Sequence, residues 1–289
     1  MLVPTRRLSL VRLNRYSGGH PSSLEAQSQS GDRIMAGIWL RIFGKDVRYS
    51  HRLWLFPLVA GLAWFSTLSI LLIRWLAIGQ PRYPGQVNPE VPFISDIAAF
   101  TFQPVFIVGC AITGVAFAGT VFAVHHVRYS DKFYALTDDA HWRQVTSFWA
   151  LFAGLVAAAC LVLLSVFDTF QNHVEHRYLL MGTFGGLGSS AILTAVVWQD
   201  QAWGPANFPG LRKWCLFNNF LVVCQTALGI AFVALLYAGQ YRPSGFLEWT
   251  LTYLGSFWLG SFVGYTRFRE VRRPLASVDH ERQPLLASV

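Results

Sequence analysis

The stretch Ser165 to Leu180, SVFDTFQNHVEHRYLL, sets Asp168, His173, Glu175, His176 and Arg177 between two apolar runs. Carboxylates and imidazoles this close can exchange protons, hold a divalent metal or grip a polar headgroup. His173 and His176 are three residues apart, so on a helix both can face one way, with Asp168 or Asp96 as a third ligand. HVEH nevertheless lacks the four-residue spacing and interposed glutamate of the HExxH metal helix. No catalytic residue, metal or other cofactor is assigned on this pattern; loop solvation, helix capping, or contact with a lipid headgroup or partner accounts for the cluster. A second acid-bearing stretch, VPFISD, ends at Asp96, where Ser95 or Asp96 can cap the start of the next helix.

What positions these residues follows from composition. The chain of 289 residues is 53% hydrophobic and 13% charged, about half the charge of a soluble domain. Runs of roughly 20 apolar residues cross a hydrocarbon core as helices. Six are expected: Leu53 to Ile78, Ala98 to Val124, Val145 to Phe167, Leu179 to Trp198, Phe217 to Ala238 and Trp249 to Tyr265. The fold class is thus an all-α integral membrane bundle of six transmembrane helices. Nineteen of the 23 Lys and Arg residues then fall on one side and three, Arg82, Arg177 and Arg242, on the other, which predicts that both termini are cytosolic. The net charge of +8 is explained by this orientation, and a nucleic-acid partner is not expected because no basic soluble domain is present. Asp96 and Asp168 share the non-cytosolic side under this topology.

Four regions result. Residues 1–35, rich in Ser and Arg, read as a disordered basic cytosolic arm. Residues 36–52 carry Ile38, Trp39, Ile42, Phe43 and Val47 at helical spacing with Arg41, Lys45, Arg48 and Arg52 between them, as in an interfacial amphipathic segment. The transmembrane domain covers 53–266, and 267–289 form a cytosolic tail. Its Arg267, Arg269, Arg272 and Arg273, with the four basic residues before the first span, would face membrane lipids on the cytosolic leaflet, including anionic lipids or phosphoinositides. In ERQPLL, Glu281 stands four residues before Leu285 and Leu286, the pattern of an acidic dileucine signal read by a sorting adaptor. Gly182-x-x-x-Gly186, Gly260-x-x-x-Gly264 and the glycine-rich GGLGSS from Gly185 are expected to let helices approach closely. Pro104 is expected to kink the second span.

VPFISDIAAF and SVFDTFQNHVEHRYLLMGTFGG, together with six spans, resemble the DRAM-type membrane proteins from about Leu53 to Tyr265. That group includes the fungal suppressor of phosphatidylinositol 4-kinase defects, the autophagy-modulating lysosomal proteins and the N-terminal membrane region of fungal GPI-anchor lipid remodelling proteins. The resemblance marks Ile94, Ser95, Asp96, Phe167, Asp168, Thr169 and His176 as signature positions. It implies a non-enzymatic role in membrane lipid organisation or phosphoinositide-linked signalling and autophagy, at the plasma membrane or an endolysosomal or vacuolar membrane. The alternative it implies is an enzyme or enzyme subunit in GPI-anchor lipid remodelling, with Asp96, Asp168 and His176 as acid, base or metal ligands.

Overall fold

The computed structural model describes residues 52–88, 90–129, 140–204 and 209–267. The basic arm, Arg41, Lys45 and Arg48 of the interfacial segment, Arg269, Arg272 and Arg273 of the tail and the Glu281, Leu285, Leu286 signal lie outside the described residues. Among the described residues there are nine helices and no strand: α1 (Leu55–Ala77), α2 (Ile94–Ala98), α3 (Gln103–Arg128), α4 (His141–Val166), α5 (His173–Val197), α6 (Gln199–Trp203), α7 (Pro209–Tyr237), α8 (Tyr241–Ser261) and α9 (Val263–Thr266).

Five of these, α1, α3, α4, α5 and α7, are long and apolar enough to cross a membrane. Their surfaces confirm the solvent they are built for. Only 17% of the apolar window of α7 is buried, while Val115, Phe220, Val223 and Ile73 stand exposed. Such an apolar belt would be a liability in water and costs nothing in hydrocarbon. The sixth expected span falls on α8, which begins at Tyr241 instead of Trp249 and carries the buried side chains Ser244, Glu248, Thr252 and Ser256. These polar residues keep it outside the hydropathy range of the other five.

The long helices form a ring in the order α1, α3, α4, α5, α7, α8 and back to α1. Close approach depends on glycine where the sequence placed it on α4–α5: a side chain on Gly186 would meet Ala157 Cβ at 2.9 Å and the Ala153 carbonyl at 3.0 Å, and one on Gly182 would meet Cys160 Sγ at 2.8 Å. Between α1 and α8 the tight position is Gly61, whose added Cβ would lie 2.9 Å from the Ser256 carbonyl and 3.2 Å from the Gly260 nitrogen; Gly260 itself differs from expectation, since a Cβ there would meet nothing within 4 Å. Gly264 packs on the Trp214 ring. Gly185 and Gly188 differ from expectation, since nothing stands within 4 Å of a Cβ built on either. The contact between α5 and α7 is the sparsest in the ring.

The end of the ring nearest Arg52 and Arg267 is basic and closed. Arg128, whose side chain is 0% exposed, makes two 3.2 Å hydrogen bonds to the Asp200 carboxylate on α6 and lies over the Trp198 ring at 5.0 Å. Trp198 meets Tyr265 edge-on, and Ala202, Leu211 and Cys215 complete an apolar plug. Arg267 sits over Trp54. The four cysteines are free thiols.

Pro104 does not kink a span. α3 starts at Gln103, so Pro104 occupies the first turn, where its missing N–H has no helical partner to lose. The expected start at Ala98 belongs to the separate short helix α2, and residues 99–102 intervene.

Candidate functional site

At the end opposite the basic plug, the two acid-bearing stretches form two adjoining turns. In the first, the α1–α3 connection is fastened to the start of α8. Fully buried Asn88 donates to the Tyr241 carbonyl at 2.8 Å and its Oδ1 accepts from the Glu90 and Val91 amides. Gly245 leaves the room this requires, because a Cβ there would collide with the Asn88 amide. Glu90 pairs with Arg242, and the Trp249 indole N–H donates to Pro92 O at 3.0 Å. The start of α2 is then held by two carboxylates from different helices. Asp96 Oδ2 accepts the Phe93 N–H at 3.0 Å, and Glu248 Oε2 on α8 accepts the Ile94 N–H at 2.9 Å. Asp96 therefore reaches back from the first turn, and Ser95 is not the cap.

In the second turn, between α4 and α5, Asp168 Oδ1 accepts the amides of Phe170 and Gln171, each at 2.8 Å. His176 Nδ1 lies 2.7 Å from the Phe167 carbonyl, an atom that can only accept, so Nδ1 carries the proton. The Phe167, Asp168 and His176 pattern is thus a turn-closing device: the carboxylate collects two amides of the turn ahead of α5, and the imidazole donates to the carbonyl at the end of α4. The two turns touch through Tyr83, Phe100 and Phe170: Tyr83 stacks on Phe100 at 5.5 Å and Phe170 meets Phe100 tilted at 5.2 Å.

The structure separates the two histidines. α5 begins at His173, eight residues beyond Ser165, and the first helical turn points His176 inward and His173 outward. His173 faces Thr169 O at 3.2 Å and Arg177 Nη2 at 2.8 Å, both on the exposed side with Glu175. Thr169 is half-buried beside them. Among the described residues no group of three or more His, Cys, Asp and Glu is placed to hold a metal ion.

Glu248 is the member that sequence reasoning missed. It is 5% exposed, faces Asp96 electrostatically and stands one residue outside the apolar window beginning at Trp249. A lone acid bordering an apolar run was the available signal.

Ser95, His176 and Glu248 share the rim of a cavity of about 630 Å³. Its walls come from α5, α7 and α8, with Trp64, Phe106, Phe117 and Leu161 behind. Three of the wall threonines, Thr183, Thr226 and Thr252, donate to carbonyls one turn back on their own helices and present methyls, whereas the buried Thr113 hydroxyl on α3 has no such partner. Ile192 is 44% and Ile230 68% exposed while lining this space, which opens it sideways between α5 and α7.

Burial raises the Asp96 pKa to about 6, with the Phe93 N–H pulling the other way. The folded state therefore holds a proton that the unfolded chain has lost between about pH 4 and pH 6, and stability present below pH 4 is lost as pH rises through 6. Asp96→Asn keeps an oxygen for the Phe93 amide and removes the titration. Wild-type protein is expected to lose up to about 3 kcal/mol more than Asp96→Asn between pH 4 and pH 7, read from paired melting curves in detergent.

A ring of apolar helices with hydrocarbon-facing surfaces, and two carboxylate-held turns at the rim of one cavity, define a polytopic helical membrane protein. The chain belongs to the Frag1/DRAM/Sfk1/Cwh43P N-terminal domain family, whose description matches residues 52–264. The family resemblance carried by VPFISD and FDT with His176 is borne out. Neither the curated proteins nor the solved structures compared with the chain give a match.

Proposed function

We propose that this chain is a non-enzymatic, six-span membrane protein that modulates membrane lipid organisation, and through it phosphoinositide-linked signalling or autophagy. The observation that carries this reading is the meeting of the two signature turns at the rim of an apolar cavity open toward lipid. In this reading α8 is the sixth span and both termini are cytosolic, as the nineteen-to-three division of Lys and Arg supports. The signature turns then face the lumen or exterior of the plasma membrane or an endolysosomal or vacuolar membrane. Arg52 and Arg267, with Arg41, Lys45, Arg48, Arg269, Arg272 and Arg273, meet anionic lipids or phosphoinositides on the cytosolic leaflet. Glu281, Leu285 and Leu286 engage a sorting adaptor.

The rival, an enzyme or subunit in GPI-anchor lipid remodelling, needs reactive side chains at Asp96, Asp168 and His176. Each of the three is engaged by backbone groups of its own turn, which favours a structural role. Deleting the gene in cells carrying paired reporters for exposed phosphatidylserine and for cytosolic-leaflet phosphoinositides tests the proposal. A redistribution of at least one lipid is expected; no change in either overturns it.

A further inference from the structure

The sparse seam between α5 and α7 poses a packing problem. Protein interiors are close-packed, yet Gly185, Gly188 and Gly229 border a space in which an added Cβ meets no atom within 4 Å. At the other glycines of α5, Gly182 and Gly186, a neighbouring helix fills that position. Glycines that admit no protein neighbour leave volume for something else. Water is a poor occupant, because the walls are apolar and hydrocarbon reaches them through Ile192 and Ile230.

The dimensions narrow the choice. The lining on α5 runs from His176 to Ile192 and on α8 from Glu248 to Leu259, about 24 Å and about 16 Å at 1.5 Å per residue. One leaflet of hydrocarbon is about 15 Å deep, so an extended acyl chain fits lengthwise. The volume of about 630 Å³ lies within the roughly 300–1,000 Å³ of sites for small ligands. Phe184 and Phe232 touch across the seam, with ring centroids 5.8 Å apart, and form part of the lining.

The rim sets the headgroup. His176 has its Nδ1 proton on the Phe167 carbonyl, which leaves Nε2 as an acceptor. Glu248 uses Oε2 for the Ile94 amide, and its other oxygen remains for a ligand. Ser95, half-buried on the rim, adds a hydroxyl. Two acceptors, one of them acidic and 5% exposed, suit a group that brings hydrogen-bond donors into a site poor in water.

We propose that the seam cavity binds one membrane lipid, with an acyl chain between α5 and α7 and a donor-bearing headgroup, ammonium or hydroxyl, at Ser95, His176 and Glu248. The site deepens the lipid-organising function proposed above and rests on it for the choice of a lipid ligand. Both donor chemistries occur among phospholipids, as ethanolamine and as inositol; choline, which has no N–H or O–H, is the control.

The test uses the full chain in nanodiscs with phospholipids bearing a diazirine on the acyl chain and ethanolamine, inositol or choline headgroups, and crosslinks mapped by mass spectrometry. Ethanolamine or inositol probes are expected to label cavity residues Leu187, Ile230 and Thr252 above the lipid-facing Val115 and Val223. The stronger of the two names the donor. Gly188→Leu with Gly229→Leu is expected to remove the cavity label and leave that on Val115; Gly185→Leu is a second filling variant should the first pair fail to fold. Equal labelling of cavity and lipid-facing residues, or cavity labelling unchanged by both fillings, overturns the site. Choline labelling the cavity as well as the other two overturns the headgroup assignment. Because this readout needs no cellular phenotype, specific labelling beside unaltered lipid reporters would sink the cellular role alone, and altered reporters beside unspecific labelling would sink the site alone.

Discussion

Asp200→Ala should destabilise the bundle by about 1–3 kcal/mol, the cost of removing the acceptor of two charge-assisted hydrogen bonds. Arg128 is buried to its tip, and the carboxylate holds it through two hydrogen bonds while Arg143 adds a contact at 3.7 Å. Burial works to raise the Asp200 pKa, but the charge and hydrogen bonds of Arg128, with Gln201 and Arg143, outweigh it and hold the carboxyl below its ordinary range. The stabilisation is therefore complete above the unfolded carboxylate range, about pH 4, and fades as pH falls through the lower folded value. Melting curves in detergent at several pH values check both parts. Asp200→Leu with Arg128→Met should lie above Asp200→Ala, since it replaces the pair by apolar side chains of similar volume. A single variant melting within a degree of wild type would show that the pair holds nothing together.

Gly109→Leu is expected to cost at least about 3 kcal/mol, and Gly109→Ala about 2 kcal/mol, because α1 and α3 have no slack at their crossing. A Cβ on Gly109 would collide with Thr67 Oγ1 and lie 2.7 Å from its Cγ2. Thr67 is 4% exposed and hydrogen-bonded to Ala63 O at 2.7 Å, so it has nowhere to turn. Thr67→Ala removes the two nearest clashing atoms but keeps the Cβ at 2.9 Å, and should recover about half of the Gly109→Ala loss in a double-mutant cycle. Gly188→Ala provides the opposite sign: nothing occupies the position, and the better helix former should add up to about 1 kcal/mol. Additive effects at Gly109 and Thr67 would show that the crossing relaxes elsewhere.

The helices most legible in the sequence were those whose apolar content exceeds 20 residues, since lipid permits few alternatives to a hydrogen-bonded helix. Their ends were harder to read. Apolar content marks where hydrocarbon begins, whereas a helix continues until its hydrogen bonds fail. α5 therefore extends six residues upstream of Leu179, taking in His173 and His176, and α8 starts at Tyr241 with Glu248 already inside it. Asp96 and Asp168 stood out as acids beside spans, but their work on the Phe93, Phe170 and Gln171 amides depends on backbone geometry that residue type does not encode. Gly182 and Gly186 were readable as packing residues because each is answered by α4. Gly185, Gly188 and Gly229 look the same on paper; what distinguishes them is the neighbour that is missing, and periodicity carries no sign of a missing neighbour.

The aromatic and ion-paired plug of Arg128, Asp200, Trp198 and Tyr265 closes the bundle at the end away from the two carboxylate-held turns. An occupant of the seam would enter and leave sideways between α5 and α7, past Ile192 and Ile230, and not along the bundle axis through this plug.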